Sequence, residues 1–511
     1  MDVPKKLLEE LKNGKINTEK ELSKRKRELA YEYKLKRFPS NSEILSRANK
    51  KLKKEIYEIL RIKPTRTISG VAVVAVMSKP HKCPGNCVYC PKFKEIPTSY
   101  TGKEPATRRA ISNKFDPYKQ VKNRLEQLEM IGHSPEKIEL IIMGGTFPST
   151  PEKYQKDFVK KCLLAMNNYP EDMPKKIPSL KTIQKENEIA KKRCIGITFE
   201  TRPDYAGKEN AEMMLKFGGT RVELGVQTIY EDVYKKIERG HTVKDVINST
   251  KILRDRGFKI LYHMMLGLPG TTKEMDINSL KEIFKNSNFK PDMLKIYPTI
   301  ITKGSKLYKM WKNKKYKPID ENYAKDVIIE LKRNIPEWVR IMRIERDIPG
   351  TEIEAGIKKT NLRQIIQEEM KKKGIKCNCI RCREVGRIIK EGGEVCKKDI
   401  KLKKIEYEAS NGKEYFLQFS DKNNVLIGFL RLRLAKTAII RELHIYGKQI
   451  QINKKGVWQH KGYGKKLLKE AEKIAKKKGF KKIYVISGIG VREYYRKFGY
   501  KKDKYYMSKS L

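Results

Sequence analysis

Between residue 70 and about residue 346, short β-type apolar runs alternate with longer amphipathic stretches: VAVVAVM, IELIIMGG, CIGITFE, RVELGVQ, ILYHMMLG and MLKIYP. Strands of this kind separated by helical lengths predict repeated βα units, and six of them fit a partial (β/α)6 barrel over residues 66–350. Each run ends in polar or glycine-containing sequence, and in βα barrels the carboxyl ends of the strands carry the site. Ahead of this region, residues 1–65 are helical in pattern, with glycine-free runs such as LSKRKRELAYEYKLKRF. Behind it, residues 351–403 form a cysteine-bearing linker. Residues 404–511 then open with strands (IEYEAS, EYFLQFS, VLIGFLRLRL, ELHIYG) and continue with a helix, IYVISG and a last short helix. The expected class is α/β: a partial barrel, a second α/β unit of independent-domain size, and a basic helical N-terminal segment. No internal repeat or long low-complexity tract interrupts it.

Length and charge extend this picture. A chain of 511 residues is long enough for two or three cores, so more than one site is expected. Lys and Arg total 115 against 61 Asp and Glu, a formal net charge of +54, which points to a polyanionic partner. Lysine enrichment alone also marks high-temperature proteomes, but there acidic residues rise in step, and here they do not. In the N-terminal helices Tyr31, Tyr33 and Phe38 interleave with the charge, which favours a nucleic-acid surface over a merely solvated helix face. Residues 1–14 have no apolar core, and the longest apolar run, residues 71–77, is too short to cross a bilayer, so a soluble, cytoplasmic protein without membrane contact is expected. In a reducing compartment the nine cysteines read as metal or reaction chemistry and not as disulfides.

The first cysteine group lies in HKCPGNCVYCPKF, just after a predicted strand, where Cys83, Cys87 and Cys90 are spaced C-x3-C-x2-C. Three thiolates on a tight Pro/Gly loop can hold three irons of a [4Fe-4S] cluster and leave the fourth iron open to a small molecule. The alternative, a zinc knuckle, lacks a fourth ligand unless His81 supplies it. This spacing, with Tyr89 before the last cysteine, resembles the signature of the radical S-adenosylmethionine superfamily. There the methionyl group chelates the open iron and one electron releases an adenosyl radical. Gly144, Gly145 and Thr146 resemble that superfamily's motif for the methionine moiety, because glycines let backbone carbonyls approach a ligand's ammonium. Further strand ends carry Glu200 and Arg202, Glu223 and Gln227, and His263; these suit ligand contacts or internal ion pairs. Cys162 and Cys194 read as small core residues.

The second group, Cys377, Cys379 and Cys382, with Cys396 as the candidate fourth thiolate, suits a structural zinc; a second iron-sulfur cluster is the competing reading. In the last unit, Gln459-His460-Lys461-Gly462-Tyr463-Gly464 runs directly into a helix with an apolar face of Leu467, Leu468, Ala471, Ile474 and Ala475. Glycines let such a loop wrap closely, and amides at a helix start suit a pyrophosphate. Together with the terminal YYRKFGY it resembles the GNAT-type N-acetyltransferase fold, in which this loop binds coenzyme A. Tyr494 is then expected near the thioester, with aromatic packing as its alternative role.

A radical half and an acetyltransferase half joined by a cysteine-rich link resemble one family across nearly the whole chain: the catalytic subunit of Elongator, in its stand-alone form. KIELIIMGGTFPS, GITFETRPD, RVELGVQTIYEDV, RGHTV, MMLGLPG, CIRCREVG, RELHIYG and ISGIGVREYYRKFGY carry the likeness in order. Eukaryotic members have a longer insertion between the first two cysteines, whereas this chain keeps the short spacing. The resemblance implies that acetyl-CoA, S-adenosylmethionine and a [4Fe-4S] cluster are used to place a carboxymethyl group on carbon 5 of the tRNA wobble uridine, with an electron donor as a further partner. It maps acetyl-CoA contacts onto Lys137, onto Arg441, Glu442, Leu443 and His444, onto Gly462 to Gly464 and onto Tyr494. Lys137, His444 and Tyr494 become the catalytic candidates. Lys137 lies in the radical half, so the acyl arm would meet both halves. A lysine acetyltransferase acting on histones or other proteins is one rival, and an RNA-binding scaffold with a structural cluster another. Oligomeric state is open, a homodimer included.

Overall fold

The computed structural model describes residues 2–35, 38–49, 52, 56, 59–60, 67–447, 458–459 and 461–511. Its larger sheet consists of seven parallel strands in chain order: β1 (Ala72–Met77), β2 (Lys137–Met143), β3 (Arg193–Thr201), β4 (Gly219–Gln227), β5 (Lys259–Leu266), β6 (Met293–Pro298) and β7 (Arg340–Ile344). The six apolar runs are all strands, and β7 adds a seventh. Its sequence, RIMRI, is only five residues long and carries arginine at two positions, so it lacks the apolar run that marks the others. The edge strands β1 and β7 do not pair with each other, which leaves one side of the partial barrel open.

Along β2 burial alternates strictly, with Ile138, Leu140 and Ile142 buried in the core. Phe158, Val159 and Cys162 of the covering helix Glu152–Asn168 belong to that same core. A strand places successive side chains on opposite faces, so Lys137, Glu139 and Ile141 turn to the lumen.

The second sheet has the order β13-β14-β12-β11-β10-β9-β8, from β8 (Lys401–Ala409), β9 (Gly412–Ser420), β10 (Leu426–Leu434), β11 (Ala438–Ile445), β12 (Lys482–Val485), β13 (Lys501–Asp503) and β14 (Tyr506–Ser510). The helix Tyr463–Lys477 lays Leu467, Leu468, Ala471, Ile474 and Ala475 on this sheet. At the N-terminus, helices Val3–Lys12, Glu19–Glu32 and Asn41–Arg47 are capped by Asp2, Thr18 and Ser40 and share a small core of their own built on Leu7, Leu22, Leu29 and Ile44. Tyr31 and Phe38 stay exposed, while Tyr33 accepts a hydrogen bond from Lys6 Nζ. Among the described residues no helix is long and apolar enough to cross a membrane.

The two sheets meet through buried charge. Arg441 donates to Asp292 through Nη1 at 2.7 Å and Nη2 at 2.6 Å, to the Phe258 carbonyl at 2.9 Å, and to Glu414 through Nε at 3.0 Å. Arg431 lies 3.4 Å from Asp292. Arg433 reaches Asp255, and Arg492 and Arg496 reach Glu188. Glu188, Asp255, Phe258 and Asp292 all immediately precede β3, β5 or β6, so the second sheet docks on the amino ends of the first. This placement governs everything that follows.

Candidate active site

At the carboxyl end of the parallel sheet, β1 delivers the chain into the first cysteine loop. Arg239 Nη1 donates to Cys87 Sγ at 3.2 Å, Cys90 Sγ lies 2.9 Å from Ser99 Oγ, and Cys83 Sγ lies 3.9 Å from Thr146 Oγ1. The Cys90 thiol and the Arg239 guanidinium hold the Cys87 thiol well below its ordinary range, although burial opposes them. Arg202 supports the loop from below: it pairs with Asp204 and donates to the Arg239 carbonyl at 2.8 Å, and a Cβ at Gly85 would collide with its guanidinium. Both ring nitrogens of His81 face backbone carbonyls, of Lys79 and Thr146, so it is not turned toward the thiols.

The fit to a bound cluster and its ligand rests on what these residues leave unpaired. Ser78 Oγ, Tyr89 Oη, Gln227 Oε1 and Arg239 Nε are buried without a hydrogen-bond partner, which in a native site calls for a ligand or water. Gly144 (φ 128°) and Gly145 (φ 85°) turn the chain sharply after β2, and a Cβ at Gly144 would run into Ser78 Oγ. Gly144→Ala is therefore expected to weaken S-adenosylmethionine binding by about tenfold or more, from strain of order 1–3 kcal/mol. Calorimetric titration of cluster-loaded protein checks this.

Inside the lumen the strand-end carboxylates form a chain of partners. Glu223 is fully buried and receives Lys295 Nζ, His263 Nε2 at 2.9 Å and, at 3.5 Å, Arg221. Burial opposes its ionisation, but Lys295, His263 and Arg221 outweigh that and hold the carboxyl well below the usual range. Glu200 accepts from Tyr100 Oη at 3.1 Å and from Lys295 at 3.4 Å. Glu200, Glu223 and His263 offer ligand atoms close enough for a metal, yet the Lys295 ammonium already bonds both carboxylates. Nearer the amino end, Arg221 pairs with Glu139 at 2.5 Å. A polar column thus runs through the sheet's interior, from Lys137 and Glu139 to Glu200 and Tyr100.

At the amino mouth the strands β11 and β12 part to leave a groove. Among the described residues β11 pairs with β12 over Ala438–Ile440, so the backbone of Glu442 to His444 has no strand partner on that side. Arg441 is the bulged residue that causes the parting, since Arg431 faces Glu442 while Leu432 faces Ile440. Its guanidinium is spent on Asp292 and Glu414, so only its backbone is available to a ligand. Glu442 pairs with Arg431 at 2.9 Å and lies 3.9 Å from Lys259 at the start of β5, which ties the groove to the lumen. Leu443 packs against the second sheet's core. His444 Nε2 donates to the Ser69 carbonyl at 2.9 Å, and burial holds its imidazole below the ordinary range, leaving a neutral ring with Nδ1 as acceptor. Lys137 begins β2 at this same end, about 20 Å of strand away from Gly144. It is therefore at the groove's side of the sheet and not beside the cysteine loop.

The glycine loop closes the groove. Gly462 takes a left-handed φ of 86° as the helix cap, Tyr463 stacks edge-on against Phe419, and Gln459 Nε2 donates to the Ile445 carbonyl at 3.2 Å. A Cβ at Gly464 would strike the Tyr494 hydroxyl, so that hydroxyl rests on the loop. Burial pushes the Tyr494 phenol up to about 12, which keeps its proton in place. His460 lies outside the described residues.

Of the second cysteine group, Cys377, Cys379 and Cys382 come together within metal-binding reach, but Cys396 is not with them. It sits on the chain's approach to β8, where its backbone N–H donates to Asp421 at 3.1 Å. Lys332 takes the neighbouring position instead: its ammonium, 1 % exposed, donates to Cys382 Sγ at 3.6 Å.

Known proteins share this arrangement. Sequence profiles match the ELP3 N-terminal domain over residues 1–68, the Radical SAM superfamily over 77–283, the Radical_SAM C-terminal domain over 291–372 and the Acetyltransferase (GNAT) family over 388–500. The chain is 50% identical to a protein of Methanocaldococcus jannaschii named tRNA uridine(34) acetyltransferase, over 99% of this chain and 97% of that one. The chain belongs to the Elp3 family. It is also 42% identical to Elongator complex protein 3 of Saccharomyces cerevisiae, over 94% of this chain and 90% of the yeast protein. The solved structure of archaeal Methanocaldococcus infernus Elp3 with an N-terminal deletion superposes with a TM-score of 0.77 at 48% identity, covering 87% of this chain and all of that one.

Within this Elp3-family fold several residues escaped the sequence reading. Arg239 lies in RGHTV, a stretch noted only for its likeness, in the turn between the helices Glu231–Lys236 and Val243–Asp255, where nothing in the local pattern points to a thiolate. Lys295 is a lone charge inside the apolar strand MLKIYP, and that isolation was the available signal. Lys332 gave none, because helix periodicity does not reveal which neighbour a buried lysine meets.

Proposed function

We propose that this chain uses acetyl-CoA to place a carboxymethyl group on carbon 5 of the wobble uridine of tRNA. One observation carries the reading: a three-cysteine loop and the glycine loop beside the parted strands β11 and β12 stand at opposite mouths of one polar lumen, joined by buried ion pairs. The net change joins the acetyl methyl carbon to carbon 5 with one hydrogen lost from each, a two-electron oxidation for which S-adenosylmethionine would be the oxidant, ending as methionine and deoxyadenosine with one proton released, and water then splits the thioester into carboxylate and free coenzyme A. Cys83, Cys87 and Cys90 would hold a [4Fe-4S] cluster and the Gly144–Gly145 turn the methionyl group of S-adenosylmethionine, and together these would supply radical chemistry for hydrogen abstraction. A one-electron donor outside the chain reduces that centre.

The chain's own groups supply the rest. Gly462 to Gly464 and the helix start receive the pyrophosphate, and the backbone from Glu442 to His444, which has no strand partner on the β12 side among the described residues, suits the amides of the pantetheine arm. About 20 Å of sheet separates the mouths, so the acyl group and the base meet when the arm reaches into the lumen. The charged lining of Lys137, Glu139, Arg221 and Lys259 is compatible with that polar arm. Tyr494, which keeps its proton, is placed to donate toward the leaving sulfur. Tyr494→Phe is expected to lower acetyl-CoA turnover by about a hundredfold with little change in KM, read by free-thiol release. Cys377, Cys379 and Cys382 would hold a structural zinc through three thiolates, with its fourth ligand supplied by a group other than Cys396.

The reading is tested by asking what the turnover of S-adenosylmethionine and acetyl-CoA depends on in reduced, cluster-loaded protein. Dependence of both on tRNA supports it. Turnover that follows histone peptide and ignores tRNA favours a lysine acetyltransferase.

A further inference from the structure

The open side of the parallel sheet is crossed at its amino end by one segment of chain. Ile380 N–H donates to the Val339 carbonyl at 2.9 Å, just ahead of β7. Glu384 accepts from Arg340 on β7 at 2.9 Å and from the Ser69 hydroxyl, ahead of β1, at 2.6 Å. A Cβ at Gly386 would touch Ile68. The strap thus bridges both edge strands, and in residues 358–390 its only acids are Glu368, Glu369 and Glu384.

Three half-buried arginines, Arg363, Arg381 and Arg387, lie within one another's electrostatic reach on this strap, and among the described residues the acids near them are fewer than the charges. Arg363 Nη2 covers the Ile341 carbonyl of β7 at 3.2 Å, while its Nη1 is buried without a partner. Arg387 Nε is likewise buried and unpartnered by hydrogen bonds, and reaches Glu384 only at 3.9 Å. Arg381 makes no hydrogen bond or close ion pair among the described residues. Glu384 is already engaged by Arg340 and Ser69, and Glu391, the next acid along the chain, faces Arg387. Nor do the cysteines account for all three charges, because Lys332 already stands against Cys382. Guanidiniums that repel one another at a half-buried site call for an anion with several oxygens, and arginine's fork fits phosphate in that way. Exposed Lys371, Lys372, Lys373, Lys376 and Lys390 extend the positive surface around them.

We propose that Arg363, Arg381 and Arg387 form a clamp for backbone phosphates of RNA at the open side of the sheet. The identity of the polyanion rests on the functional reading above; the site itself rests on the unmatched arginines. Phosphate contacts set position and affinity without reading sequence, so the clamp would hold the strand while the lumen handles the base.

The test uses the full chain and labelled tRNA, with affinity measured across a KCl series for Arg363→Gln, Arg381→Gln and Arg387→Gln. Each variant is expected to bind several-fold more weakly at low salt and to flatten the slope of log K against log salt by roughly 0.7 to 1. Arg381→Lys, which keeps the charge, is expected to retain most of the slope and so separates lost charge from lost fold. Slopes equal to the parent's in all three variants would overturn the clamp. So would loss of thiol-bound metal with unchanged slopes, which would assign the arginines to the cysteines. A parent chain without salt-dependent tRNA binding would instead sink the functional reading itself.

Discussion

Cys87→Ala is expected to drop wobble-uridine modification below detection, a loss of roughly three orders of magnitude or more, while tRNA affinity stays within about twofold. Cys87 is the most tightly engaged of the three thiols: it is 4 % exposed, accepts from Arg239, and is held well below its ordinary pKa by Cys90 and Arg239. Removing it takes away one of three ligands from a loop with no fourth. Because the thiol is buried beneath the loop, its loss leaves the basic outer surfaces as they were. Iron content and cluster absorbance after anaerobic loading should fall together with nucleoside modification. Full modification by a variant without cluster absorbance would show that the loop is not the reaction centre.

The second large effect is expected at Asp292, far from either ligand site. This fully buried carboxylate faces Arg441 and Arg431 and accepts from the Ile260 N–H at 2.9 Å. Asp292→Ala leaves Arg254, Arg431 and Arg441 facing one another inside the interface with Glu414 and Glu442 as their remaining counter-charges. Uncompensated buried charge of that kind costs about 3–5 kcal/mol. Unfolding in denaturant should shift to lower concentration and separate into two transitions, as the acetyltransferase half lets go of the sheet. A variant within about 1 kcal/mol of the parent, unfolding in one step, would contradict the role of Asp292 in holding the two sheets together. The pH dependence follows from the same group. Burial opposes the Asp292 charge, but Arg441 and Arg431 outweigh it and hold the carboxyl well below its usual range. Its contribution is therefore complete above the unfolded value of about 3.9 and is lost as pH falls below that toward the depressed folded value.

These two sites also show what the amino-acid sequence could and could not reveal. Apolar runs such as VAVVAVM and IELIIMGG announced their strands, because even where only alternate residues are fully buried the partly covered lumen side also takes apolar residues. RIMRI escaped notice, since an edge strand can afford charge. The cysteine loop and the glycine loop were legible from spacing, as each needs particular residues at fixed offsets to wrap a ligand. Spacing could not show that Lys137 and Gly144, seven residues apart, stand at opposite mouths of the sheet; that follows from strand length once β2 is known. Nor could it show that Arg441 spends its guanidinium on Asp292, or that Lys332 rather than Cys396 sits beside Cys382. Those partners come from different elements, and only the packed fold brings them together.

The joint use of both mouths on one base is tested most directly by giving the reduced, cluster-loaded chain acetyl-CoA labelled at both acetyl carbons, S-adenosylmethionine and tRNA, then weighing the nucleosides. The account predicts both labelled carbons on the wobble uridine, with one deoxyadenosine formed per labelled base. Label found only on protein lysines, or deoxyadenosine formed with no labelled uridine, would contradict it.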